Sequence, residues 1–135
     1  MATLNKVNSF VENLCEKVHN LGTDTLKVAL TNTAPVATNS VLTDITEVDY
    51  TNVSTRVITT TSSAQVSGTY RLILADLVLT ASGVVGPFRY VVVYNDTSAG
   101  KNLIGWYDAG SAITLANAET LTIDFDNTNG ILSLA

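Results

Sequence analysis

The sequence predicts a mainly β domain, a β-sandwich of jelly-roll type carrying one α-helix at its N-terminus. Three observations lead there. From Leu26 onward the apolar residues recur with a period of two, as Leu26, Val28, Leu30 and again as Leu121, Ile123, Phe125. Runs rich in β-branched and aromatic residues alternate with Gly, Pro, Asn and Asp about every ten residues, giving about eight short strands. In the run Gly86–Asp96, apolar residues occupy both faces at the middle: Phe88, Tyr90, Val92 and Tyr94 on one, Val91 and Val93 on the other. A strand of that kind belongs in the centre of a sheet, covered on both sides.

The segment before Gly22 has a different period. Leu4, Val7, Val11, Leu14, Val18 and Leu21 step by three and four, with Phe10 beside them, and make one apolar stripe. Thr3 can cap such a helix and Gly22 can end it, which predicts a helix over Leu4–His19. The chain therefore divides into an N-terminal helix (1–22) and a β-sandwich (23–135), within a single domain whose 135 residues suffice to bury a core.

The other elements follow in order. Leu26–Thr31 is a half-buried strand, and Asn32–Ser40 with Pro35 is a loop. Val41–Tyr50 reads as one helical turn or an irregular crossover. Val57-Ile58 centres a Thr-rich strand, Ser67-Gly68 breaks it, and Tyr70–Leu74 and Leu77–Thr80 form two strands or one bent near Asp76. Leu103–Asp108 returns antiparallel to the central run through the polar loop Asn95–Asn102. Asp108-Ala109-Gly110-Ser111 is expected to turn the chain, Asn117 to turn it again, and Asn129-Gly130 to make a tight turn, since both residues tolerate φ > 0.

Composition narrows function. Charged residues make up only 14% of the chain against 46% hydrophobic, which points to extensive burial or a surface covered by partners. A net charge of −5 with scattered cations argues against nucleic acid. No run approaches the ~20 apolar residues that span a bilayer, and no leader of secretory type is evident, so synthesis in a cytoplasm and no membrane partner are expected. Without a secretory route the triplets Asn52-Val53-Ser54 and Asn95-Asp96-Thr97 carry no weight as glycosylation sites. The single cysteine, Cys15, excludes an internal disulfide.

Chemistry-bearing residues are few. Cys15 and His19 stand at i, i+4 on the expected helix, the spacing a thiol nucleophile and its base would need. Cys15 at the edge of the apolar stripe reads better as a small packed thiol, and His19 as a cation at a helix C-terminus. Asp124 and Asp126 share a strand face, with Asp108 and Glu119 as further carboxylates for a hard cation, yet their alternation with Leu121, Ile123 and Phe125 is that of a solvent-facing strand. Tyr70, Tyr90, Tyr94, Trp106 and Tyr107 could stack on sugars, but they lie within strands, where aromatics fill cores. No phosphate loop, zinc spacing or acid–base constellation is present, so no enzyme and no cofactor are expected.

The segments Gly86–Thr97 (GPFRYVVVYNDT), Leu103–Ala116 (LIGWYDAGSAITLA) and Thr122–Ala135 (TIDFDNTNGILSLA), together with Leu26–Pro35 (LKVALTNTAP), resemble a family of small structural proteins of tailed bacteriophages. The resemblance implies a capsid decoration or cement protein that coats the shell, with the major capsid protein as partner and the virion as location. It supplies no catalytic residues. A dimer or trimer is expected, and Val7, Phe10, Val11, Leu14 and Val18 on the helical stripe are the candidate subunit contacts. The alternative is a tail or head-fibre module that recognises carbohydrate, through Trp106, Tyr107 or the loop Asn95–Asn102, or another virion protein.

Overall fold

The chain is organised on an eleven-residue strand, β7 (Val85–Asn95), which lies third in a five-stranded sheet. The computed structural model describes residues 3–135, so the first two residues of the expected N-terminal segment lie outside it. The sheet runs β1 (Asn5–Lys6), β8 (Leu103–Leu115), β7, β2 (Leu26–Thr31), β3 (Val57–Ile58), with every neighbour antiparallel. Val91, Val92, Val93 and Tyr94 are all buried, so β7 is covered on both faces as its pattern predicts.

The second layer is one long hairpin with a strand along its side. Residues 53–66 and 69–81 run antiparallel from the Val53–Ala81 bridge, through Ala75 N–H to Thr59 O (2.9 Å), to the Val66–Thr69 pair. Its regular parts are β4 (Thr60–Val66), β5 (Thr69–Leu74) and β6 (Leu77–Thr80). Ser67 and Gly68 close it with φ of 52° and 82°, the left-handed pair that a two-residue hairpin turn requires. Along the far side, β9 (Thr120–Ile123) pairs with β6 and β10 (Leu132–Leu134) with β5. Between them the Asp76 carboxylate accepts the Phe125 N–H at 3.0 Å, spanning the bend between β5 and β6. The two layers share one core, which includes Leu30, Val92 and Ile104 from the first and Leu72, Leu79 and Phe125 from the second. Burying each such side chain contributes on the order of 1.5–3 kcal/mol. The protein is thus a mainly β sandwich, and among the described residues no helix is long and apolar enough to cross a membrane.

Three local expectations are corrected and one open reading is resolved. The helix is short: α1 spans Ser9–Cys15, not Leu4–His19. Asn5 and Lys6 instead pair with Trp106 and Gly105, because the open edge of β8 offers backbone partners that an isolated helix start cannot. At the other end Lys17 adopts φ 66°, which stops the helix five residues before Gly22. Asp108–Ser111 does not turn the chain. Strand β8 continues through it, and residues 109–112 bulge out opposite Arg89 alone, with the Gly110 N–H on Asp108 Oδ1 at 2.8 Å. Asn129-Gly130 is not a hairpin turn either. It ends a loop that carries the chain from β9 to β10, where Gly130 sits with φ 83° and a Cβ would come within 2.5 Å of Leu72 O. Finally, the ambiguous span after Val41 resolves to one 3-10 turn, Leu42–Asp44, whose Asp44 carboxylate accepts from the N–H groups of Ser40 and Val41.

Candidate functional site

Among the residues the sequence singled out, the structure hydrogen-bonds His19 not to Cys15 but to Asn95, from far along the chain, and through it to Asp24. Asn95, at the end of β7, is fully buried. Its Oδ1 accepts from the N–H groups of Thr97 (2.9 Å) and Ser98 (3.2 Å), which orients the amide. Its Nδ2 therefore faces the other way, donating to Asp24 Oδ2 and to His19 Nδ1 (3.0 Å). An accepting Nδ1 places the histidine proton on Nε2, in the neutral form. Burial pushes the His19 pKa below its usual 6.5, against the opposing pull of Asp24. The ring also packs against Phe10, centroids 5.4 Å apart. His19 thus serves the fold as a neutral, buried acceptor and not as the helix-terminal cation expected of it.

Cys15 is exposed on the last turn of α1. It borders a groove of about 500 Å³ with Leu14, Leu21, Tyr70 and Leu134, but no hydrogen bond joins it to His19, whose Nε2 is sealed from solvent.

The stripe residues separate. Val7 and Phe10 lie in the chain's own core, Leu14 and Val18 are half-buried, and Val11 alone is open, 49% exposed. Val7 and Phe10 are thus packed within the chain itself. The signal was ambiguous because a stripe has the same period whichever surface covers it.

The carboxylates are dispersed. Asp108 takes a bidentate ion pair from Arg89 (2.8 and 3.0 Å), Asp126 accepts from the N–H groups of Thr128 and Asn129, and Glu119 accepts from Ala116 N–H. These bonds hold the Asp108 and Asp126 carboxyls below the usual range. Among the described residues no three His, Cys, Asp or Glu side chains are grouped to hold a metal ion. Of the aromatics, Tyr94 is buried while Tyr70, Tyr90, Trp106 and Tyr107 are half-buried; Tyr107 packs at 6.0 Å from Phe125, its hydroxyl pKa pushed up to about 12 by burial and then by Asp126. In the loop Asn95–Asn102, the Lys101 ammonium holds Asp96 at 2.8 Å, with Lys27 on its other oxygen at 3.3 Å.

Two features were not legible in the residues alone. Tyr50 closes an open stretch of β2, its hydroxyl accepting from Leu30 N–H (2.9 Å) and donating to Glu47 (2.8 Å), while Arg56 lies 3.7 Å over its ring and donates to Val28 O. The other is the arm formed by β4 and β5, whose tip, residues 64–68, is exposed throughout. Neither an aromatic in a loop nor a Thr/Ser run announces such a role.

No family model, curated protein or solved structure matches this chain. The chemistry open to it is read from its own geometry. Asn95, Arg56, Arg89, Asp96, Asp108 and Asp126 satisfy backbone groups or one another, while Lys6, Glu12, Glu16, Lys17, Arg71 and Asp124 are exposed among Thr, Ser, Asn and apolar residues.

Proposed function

We propose that this chain is a non-enzymatic structural protein of a tailed-bacteriophage virion, a decoration or cement protein that binds the outer capsid surface, contacts the major capsid protein and acts as a small homo-oligomer. The observation that carries the reading is the inward use of its reactive groups: His19, Asn95, Asp24, Asp108 and Asp126 are all engaged in holding strands and loops. What faces outward is a charge-poor block suited to broad polar contact, and many weak contacts on one shell gain by avidity. The likeness of Gly86–Thr97, Leu103–Ala116 and Thr122–Ala135 to phage structural proteins supports the same reading. Of the residues offered for the carbohydrate-recognition alternative, Tyr107 is packed on Phe125 and the 95–102 loop is tied internally, which leaves the half-buried Trp106 as its candidate.

The test is to mix the purified chain with capsids of the parent phage stripped of surface proteins, sediment them, and image the particles by cryo-microscopy. Density at regular positions on the shell is expected. Failure to co-sediment with the capsid, or density confined to the tail, overturns the proposal.

A further inference from the structure

Among the described residues, every strand edge but one is short, covered or bent. Edge strands β1 and β3 have two residues each, β10 has three and β9 has four. The exposed part of β2 is closed by Tyr50 and by Val48 N–H on Leu30 O. The second half of β8 bears Asp108 and is bulged at residues 109–112. Strand β4 has no such protection. Its seven residues, Thr60-Thr61-Ser62-Ser63-Ala64-Gln65-Val66, include no charge and no proline, and among the described residues no backbone hydrogen bond reaches the side away from β5. Natural edges of this length are ordinarily blocked by lysine, proline or a covering segment, since an open edge templates further pairing.

We propose that β4 pairs antiparallel with β4 of a second copy of this chain, joining the two three-stranded layers into one six-stranded sheet across a two-fold axis at Ala64. The alternation of the hairpin specifies the register. The Val66–Thr69 pair closes a two-residue turn and so exchanges hydrogen bonds, as do the pairs Ala64–Arg71 and Ser62–Ile73. Ser63 and Gln65 therefore direct their N–H and C=O groups outward. With the axis at Ala64, Ser63 of one copy faces the partner's Gln65 and exchanges two hydrogen bonds, and the symmetry repeats this at Gln65. Ala64 meets the partner's Ala64 in the non-hydrogen-bonded position, where Cα atoms approach to about 4.5 Å and a small side chain fits best. The strand suits a second copy because it is its own complement about Ala64: small, uncharged residues flank the axis on both copies, so an isologous contact sets no charge or bulky side chain against itself. The pairing does not depend on attachment to a capsid and stands or falls separately from it.

The experiment is sedimentation equilibrium of the full chain across a concentration series, with amide hydrogen exchange at Ser63 and Gln65. The expected result is a reversible dimer, with both amides more protected as concentration rises. A64K sets two ammonium groups face to face, each beside an Arg71, and should raise the dimer dissociation constant at least about tenfold. S63P removes only an outward N–H, at an edge position where proline is tolerated, and should weaken pairing by a similar factor. An equimolar mixture of A64K with A64E should recover a mixed dimer, which an unfolded arm could not do. A wild-type chain that is monomeric at every concentration, dimers indifferent to both A64K and S63P, or an assembled particle in which the capsid protein occupies this edge would overturn the proposal.

Discussion

The side chains of His19 and Asn95 meet at 3.0 Å in the interior although 76 positions separate them. Asn95 uses all four of its hydrogen-bonding capacities: both amide protons go to His19 and Asp24, and the carbonyl takes two backbone N–H groups. One side chain thereby ties the segment after α1 to the end of the central strand and shapes the loop that follows.

Truncating Asn95 should accordingly be among the most damaging single changes. Asn95→Ala leaves two backbone donors and the buried His19 without partners, and should cost about 3 kcal/mol. The urea midpoint measures this. A loss under 1 kcal/mol would show that water replaces the amide fully.

The His19 environment sets an acid limit. Its pKa is lower in the fold than the usual 6.5, so between these values the unfolded chain binds the extra proton. The stability it contributes is complete above pH 6.5 and is lost as pH falls through the folded value. Melting temperature should thus drop between pH 7 and pH 5, and His19→Gln should flatten that slope. The carboxyls of Asp44, Asp96, Asp108 and Asp126 are shifted down from 3.8 and act in a separate, more acidic window.

Neighbours on α1 should behave oppositely. Phe10 is buried against His19, and Phe10→Ala should cost roughly 3–5 kcal/mol. Val11 is half-exposed, and Val11→Asp should change folding stability by no more than about 0.5 kcal/mol. Light scattering of folded Val11→Asp then separates the two surfaces: a monomer implicates α1 in assembly, whereas an unchanged oligomer excludes it and leaves β4.

Tyr50→Phe removes one oxygen from a packed site. The Leu30 N–H loses its acceptor, and the change should cost about 1–2 kcal/mol. Exchange of the Leu30 amide should accelerate selectively, while amides in the β7–β8 pairing keep their protection.

Much of the fold was legible because it is written locally. The two-sided apolar run at Phe88–Tyr94 placed β7 in the middle of its sheet, and the alternation at Leu121–Phe125 found β9 and its continuation. The same local logic misread Leu4–His19, where a regular stripe ran across a two-residue strand, a two-turn helix and a left-handed Lys17. It misread Asp108–Ser111 for a related reason: residues that favour a turn also favour a bulge, and only the partner strand selects between them.

By itself, then, the amino-acid order determined that this is a mainly β domain, where most strands fall, and which of them is central, because side-chain period and turn preference act within a few residues. Tertiary structure alone decided that Val7 and Phe10 face their own core, that His19 is neutral beneath Asn95, that Tyr50 completes β2, and that β4 is left open. Each of those depends on which backbone groups remain unpaired once distant strands have closed on one another, and an unpaired N–H or C=O leaves no trace in the identity of its own residue.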